Sequence, residues 1–549
     1  MYTRRRFLRL PVTLTAAAVI GPAVLTACSD SSAPPSAKSA GGGTLRYGAA
    51  VEPDSWDPHA ASTAVTGRLL RPVLESLVAI APDGTVKPWL AESWTVSPDG
   101  LTYTFTLRSG VTFSDGTPFD AAAVKANFEH VTAAKTASKR AAGLLGPYKE
   151  TEVVDPRTVA VHLTAPHASF LNSAGSTFLG FHSPVALRDH AGDLSSGGAF
   201  VVGTGPFTFE SVTPGQQAVF KRRSDYDWAP PTAAHQGPAK LESIVVLLLK
   251  EDASRVGALT SGQVDAAELI PANRLAGLRG RNGVEVVRKA VPGVPYTYYL
   301  NTARAPFDDP RTRQAVRHAI DFAGIVKGVF QGEYEQAWGP LAPSTPGAEP
   351  SFAKPAWEYS KEKAEKLLDE AGWTGRDADG YRTRDGKRLS AEQPYVQTFV
   401  SAQNHTFDVG VQDALKQVGI ELKLVPLDSA GSIGRTGKGD YDVFAFAWQG
   451  SDPVLLGSLY HSKSQFGGGG ANGSRVKDAE IDGWLDEAEA TVDAERRAEL
   501  YRKVQRKIVE QAYSFPAYIA TMDVARHGKV NGLVLDVDAN TDFYGIGVA

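Results

Sequence analysis

One cysteine, Cys28, stands in a chain of 549 residues. A disulfide framework within the chain is therefore excluded, and so is a cysteine-built zinc or iron–sulfur centre. Stability has to come from buried apolar surface. The composition supplies it, with 42 % hydrophobic and 21 % charged residues, an ordinary globular mix. At about 100–200 residues per domain, the length predicts several domains. Lys plus Arg number 57 against 61 for Asp plus Glu, a net charge of −4. A dedicated nucleic-acid binder carries a basic surplus, so no nucleic-acid partner is expected.

The place of Cys28 matters as much as its solitude. Thr3-Arg4-Arg5-Arg6-Phe7-Leu8 puts paired arginines ahead of an apolar stretch from Val12 to Leu25. That stretch is too short, and too interrupted by Gly21 and Pro22, to span a bilayer as a stable helix. A basic head, an apolar middle and small residues predict a secretion signal over residues 1–27. Its start resembles a twin-arginine signal, and Leu25-Thr26-Ala27-Cys28 resembles a bacterial lipobox, in which Cys28 becomes the lipid-modified first residue. Residues 28–43 are polar and rich in Pro and Gly, the composition of a flexible tether. The expectation is an extracytoplasmic protein, lipid-anchored on the periplasmic side or outer face of the cytoplasmic membrane.

The body alternates strand-like and helix-like segments, a mixed α/β pattern. Thr102 to Leu107 has Tyr103, Phe105 and Leu107 on one face and threonines on the other. Val159 to Leu163 and Ile244 to Leu249 read as further strands, the second apolar enough to be central. Asp309 before Pro310 and Ser360 before a 3.6-residue stripe predict capped helices; Ile481 to Ala488 and Leu500 to Ile508 carry similar stripes.

Catalytic motifs are missing. No G-x-S-x-G, H-E-x-x-H or G-x-x-x-x-G-K-[ST] occurs. Gly468 to Gly473 satisfies G-x-G-x-x-G but lacks a preceding strand and reads as a loop. His59, His167, His182 and His461 are scattered singly and read as surface residues. No enzyme activity, cofactor, metal ligand or catalytic residue is expected.

Turn-rich signatures follow one another in fixed order: Trp56-Asp57-Pro58, Leu74-Glu75-Ser76-Leu77-Val78, and a long block from Trp89 through Ser97-Pro98-Asp99-Gly100 to Phe113-Ser114-Asp115-Gly116-Thr117-Pro118. Gly203-Thr204-Gly205-Pro206-Phe207, Pro306 to Ala315 and Glu370-Ala371-Gly372-Trp373 come later. In these the chain, over about residues 44–520, resembles the family 5 extracellular solute-binding proteins, the peptide-, nickel- and oligosaccharide-binding receptors of bacterial ABC importers; the lipoprotein start is actinobacterial in style.

The resemblance implies a two-lobed, periplasmic-binding-protein-like α/β fold of class II type, with an additional domain inserted in the first lobe. The first-lobe domain is expected at 44–70, 200–292 and 518–549, the insert at 71–199 and the second lobe at 293–517. It also implies a monomer that closes on an oligopeptide or other small solute and delivers it to ABC permease subunits. Peptide binders of the family carry W-x-x-D on the second lobe, a cleft-wall Trp and an Asp for the peptide ammonium. Here the segment is Trp448-Gln449-Gly450-Ser451-Asp452, with Ser at the fourth position. Either Asp452 takes the ammonium through a shortened loop, or a free N-terminus is not read. Trp56, Thr204, Gly205 and Asn301 are further candidates for the cleft. The alternatives are a same-fold receptor for an oligosaccharide, metal chelate or specialised metabolite, and a surface lipoprotein with a chaperone-like or hydrolytic role.

Overall fold

The computed structural model describes residues 42–138, 140–397, 400–466 and 470–549. The signal, Cys28, the tether as far as residue 41, and Gly468 and Gly469 of the glycine run lie outside the described residues. Two sheets organise two lobes. In the first, seven strands lie in the order Val284–Ala290, Thr521–His527, Ala266–Ala267, Thr44–Ala49, Ser243–Leu248, Gln217–Arg222, Phe207–Thr213. Thr44–Ala49 pairs in parallel with both neighbours, and the other pairings are antiparallel. The apolar run expected to be central is the interior strand Ser243–Leu248, burying Ile244, Val246 and Leu248.

A four-stranded antiparallel sheet joins this lobe, in the order Ala91–Val96, Thr102–Leu107, Thr158–Leu163, Tyr148–Asp155. Alternation in Thr102–Leu107 turns Tyr103, Phe105 and Leu107 inward, where Tyr103 and Phe105 meet the ring of Phe170. They share one hydrophobic core with Leu45, Ile244 and Val246 of the seven-stranded sheet.

The second lobe is built on the antiparallel order Glu335–Gln336, Ser514–Ile519, Gly293–Leu300, Val443–Gln449. Every residue of Gly293–Leu300 is buried. Helices form where the stripes and caps predict them. Asp309 accepts from Arg311 N–H to open Pro310–Ala319, and Ser360 accepts from Lys363 N–H to open Lys361–Glu370. Ala479–Ala490 and Ala494–Glu510 pack through Ile481, Leu485, Leu500, Val504 and Ile508.

The chain crosses between the two sheets at adjacent places. Val291 and Pro292 link Val284–Ala290 to Gly293–Leu300, and Ala520 links Ser514–Ile519 to Thr521–His527. Val291 N–H donates to the Ala520 carbonyl at 2.9 Å. Gly293 has φ +106°, and a Cβ there would lie 2.2 Å from the Trp448 carbonyl oxygen, so the crossing requires glycine. Among the described residues no helix is long and apolar enough to cross a membrane.

Candidate ligand-binding site

A cavity of about 270 Å³ lies where Gln449–Leu455 of the second lobe meets the first. The first lobe contributes Arg68 and Arg71 at the end of the helix Ala64–Leu70, Thr177 and Phe178, Arg140, and the C-terminal loop Asp536–Tyr544. Contacts across it hold the lobes together. Ser451 N–H donates to Asp538 Oδ1 at 3.0 Å, and the Gln449 side-chain amide donates to the Asp538 carbonyl. Further out, Ala168 N–H donates to the Glu489 carbonyl at 2.9 Å, and His167 Nδ1 lies 2.9 Å from Glu489 Oε2.

Of the residues expected at the site, Gln449, Gly450, Ser451 and Asp452 line the cavity. Trp448 does not. Neighbours on a strand point to opposite faces, so when Gln449 faces the cavity, Trp448 turns into the cluster of Val294, Tyr299 and Leu341. Trp56 is buried edge-on against Phe209 at 4.9 Å. Asn301 is buried in a turn, its amide donating to the carbonyls of Gly439 and Tyr441. Thr204 sits behind the cavity wall and donates to Glu75 Oε2 at 2.8 Å. Gly205 marks a close approach, since a Cβ there would lie 2.4 Å from the Pro72 carbonyl oxygen.

Asp452 is already paired. Its Oδ1 accepts from Arg497 Nη2 at 2.9 Å and from Val454 N–H at 2.9 Å. Arg497 Nη2 also donates to Ser169 Oγ at 2.5 Å, and this hydrogen bond ties the second-lobe ion pair to the first lobe. Asp452 Oδ2 is buried with no hydrogen-bond partner among the described residues.

The charged lining was not anticipated. Arg71 donates to Ser76 Oγ and the Gly175 carbonyl and lies over the Trp89 ring, 5.2 Å from its centroid. The Arg140 guanidinium lies 4.4 Å from the Phe178 centroid. Burial pushes both guanidinium groups below their ordinary range. Three acids face them, Asp536 and Asp538 from the loop between the short strands Val534–Leu535 and Thr541–Asp542, and Asp542 from the second of these strands. Burial, and then the charge of Asp538, push Asp536 up to about 7; burial also raises Asp542. Among the described residues, none of Arg71, Arg140, Asp536, Asp538 and Asp542 is in an ion pair within 4 Å.

Glu75 shows the opposite treatment of a buried acid. It accepts from Tyr226 Oη at 2.6 Å, Thr204 Oγ1 at 2.8 Å and Trp228 Nε1 at 2.9 Å, while burial pushes it up to about 7. Two sequence signatures, the segments around Glu75 and Thr204, thus meet in one polar knot at the cavity wall.

The four histidines expected on the surface are buried, His59 and His182 completely. Their loops fold inward because each ring finds a polar neighbour. His167 meets Glu489, His461 Nε2 lies 3.1 Å from Asp486 Oδ1, and His59 and His182 meet beside Asp57.

Residues 85–470 match the family model described as bacterial extracellular solute-binding proteins, family 5 Middle. Over 504 residues the chain is 30 % identical to the glutathione-binding protein GsiB of Salmonella paratyphi A, covering 89 % of this chain and 91 % of that protein. It is similar to NikA from Brucella suis in complex with Fe(III)-EDTA, at TM-score 0.80 and 25 % identity over 92 % of this chain and 100 % of the other. The oligopeptide-binding protein AppA from Bacillus subtilis, in complex with a nonapeptide, matches at TM-score 0.77 and 23 % identity over 92 % and 99 %. The expected two-lobed binding-protein fold is the fold of these neighbours. Two of the three are named as binding proteins and the third is described in complex with a bound chelate.

Proposed function

Since the chain belongs to the bacterial extracellular solute-binding proteins of family 5, we propose that it is the substrate-binding protein of an ABC importer, anchored through Cys28, that captures peptides of a few residues between its lobes. It acts as a monomer and presents the closed form to the permease. The proposed division is a first-lobe domain of residues 44–70, 200–292 and 518–549, an insert of residues 71–199 and a second lobe of residues 293–517.

One observation carries the ligand class: the cavity is lined by two guanidinium groups and three carboxylates that, among the described residues, no ion pair within 4 Å satisfies. An uncompensated buried charge costs several kcal/mol. A zwitterion relieves both signs at once, its ammonium taken by Asp536, Asp538 and Asp542 and its carboxylate by Arg71 and Arg140. The carboxylates disfavour a polyanionic chelate, and an uncharged sugar leaves all five groups unpaired. A ligand held at Asp538 also meets Ser451 and Gln449, so it binds the closed state better than the open one, the differential affinity that closure requires.

The test is thermal unfolding of the purified protein against free short peptides, the same peptides N-acetylated or C-amidated, oligosaccharides and chelated metals. A ligand at about 100 times its Kd adds about 2.7 kcal/mol. Free peptides are expected to stabilise most, and each blocked end to reduce the shift. Stabilisation by a sugar or chelate while every peptide leaves the melting curve unmoved overturns the assignment.

A further inference from the structure

Behind the wall of the ligand cavity, three separate segments bring three histidines and an aspartate together. Asp57 and His59 come from the loop before the helix Ala64–Leu70, His130 from the helix Ala121–Thr132, and His182 from the residue before the cap of Pro184–His190. His59 and His182 are fully buried, Asp57 and His130 nearly so, and none of the four lines the ligand cavity. One ligand atom from each of Asp57, His59 and His130 lies within 4.8 Å of the other two; His182 stands just outside this trio and reaches it through Asp57. His182 Nε2 lies 3.4 Å from Asp57 Oδ1.

Protons alone do not satisfy this cluster. His59 Nε2 is 2.9 Å from the Gly180 carbonyl, which only accepts, so Nε2 carries the hydrogen and Nδ1 presents a lone pair. His130 Nδ1 lies 2.9 Å from that lone pair. If it donates there, His130 Nε2 is left as a second lone pair, facing Asp57 Oδ2 at 3.9 Å. Among the described residues His182 Nδ1 is buried without a hydrogen-bond partner, and His182 Nε2 has only the Asp57 carboxylate, 3.4 Å away. The backbone of His182 is nevertheless fixed, its N–H and carbonyl both bonded to the Asn127 side chain at 2.8 Å. The surplus is of electron pairs, and it sits among rigidly held rings.

We propose that Asp57, His59, His130 and His182 form a structural site for one divalent transition-metal ion of the zinc class, separate from the ligand cavity. Three imidazoles and one carboxylate are a complete tetrahedral set for such an ion. Two nitrogens bound tetrahedrally to one zinc at its usual bond length sit about 3.3 Å apart, so the facing His59 and His130 nitrogens, 2.9 Å apart, need part by only a few tenths of an ångström. The His59 Nε2–H to Gly180 bond is the outer contact that fixes the tautomer of a metal-binding imidazole. The ion ties the loop at Asp57 to the helix carrying His130, and takes no part in solute capture.

The experiment uses the full chain purified without a metal-affinity tag, stripped with a chelator, incubated with zinc or cobalt(II) and desalted. Elemental analysis is expected to find about one ion per chain. The His59→Gln/His182→Gln double variant loses it, whereas His190→Gln, an exposed histidine of the same lobe, keeps it. X-ray absorption on the zinc-loaded wild-type protein needs no variant, and is expected to show an N/O shell with imidazole scattering. Less than about a tenth of an ion per chain, a shell without imidazole, or full retention of metal in the double variant overturns the proposal.

Discussion

The two walls of the ligand cavity treat charge in opposite ways. On the second-lobe side, Gln449 to Leu455 is neutral except for Asp452, which Arg497 already balances. On the first-lobe side, Arg71, Arg140, Asp536, Asp538 and Asp542 stand without ion pairs among the described residues. On the proposed function, recognition and closure are thereby divided: the first lobe would read the charges of the solute, and the second would supply hydrogen bonds that form on closing. Asp538 belongs to both tasks, since the ligand-facing loop that holds it also accepts from Ser451. The Asp452–Arg497–Ser169 chain belongs to closure alone.

Four changes sharpen or break this contrast. The largest effect is expected from Asp538→Asn, which weakens free-amine peptides by about 2–5 kcal/mol in calorimetry and N-acetylated peptides far less. Arg140→Gln comes next, at about 1–3 kcal/mol for peptides with a free C-terminus, and is nearly silent for their amides. The third is a pH effect. Asp536, raised to about 7, pairs with an ammonium only when ionised, so affinity for free-amine peptides rises as pH climbs from about 6 to about 7.5, and Asp536→Asn flattens the rise. The smallest effect on discrimination belongs to Asp452→Asn. It lowers the melting temperature by removing the carboxylate that holds Arg497 against Ser169 of the other lobe, and shifts free and acetylated peptides by the same factor of about ten or less. A selective loss of free-amine peptides in that variant breaks the contrast.

The fold was largely legible because it rests on local signals. Alternation in Thr102–Leu107 and the caps at Asp309 and Ser360 specify their elements without reference to distant residues. The site was legible only in part. Phe444, Phe446 and Trp448 fall on one face of their strand, an apolar pattern that assigns Trp448 to the core and leaves Gln449 for the cavity. That signal was present in the sequence, and a resemblance at one position outweighed it. Asp536, Asp538 and Asp542 gave no such sign, because three acids within seven residues look like an exposed turn until the loop is folded against Arg71. Arg140 and the buried histidines fail for the same reason: their partners are far away in sequence.

The division of labour is tested most directly by measuring one free tripeptide and its N-acetylated form side by side on the wild-type protein, Asp538→Asn and Asp452→Asn. The account predicts that preference for the free amine persists in Asp452→Asn and collapses in Asp538→Asn. Collapse in Asp452→Asn, with Asp538→Asn still discriminating, would return the ammonium clamp to the second lobe and contradict it.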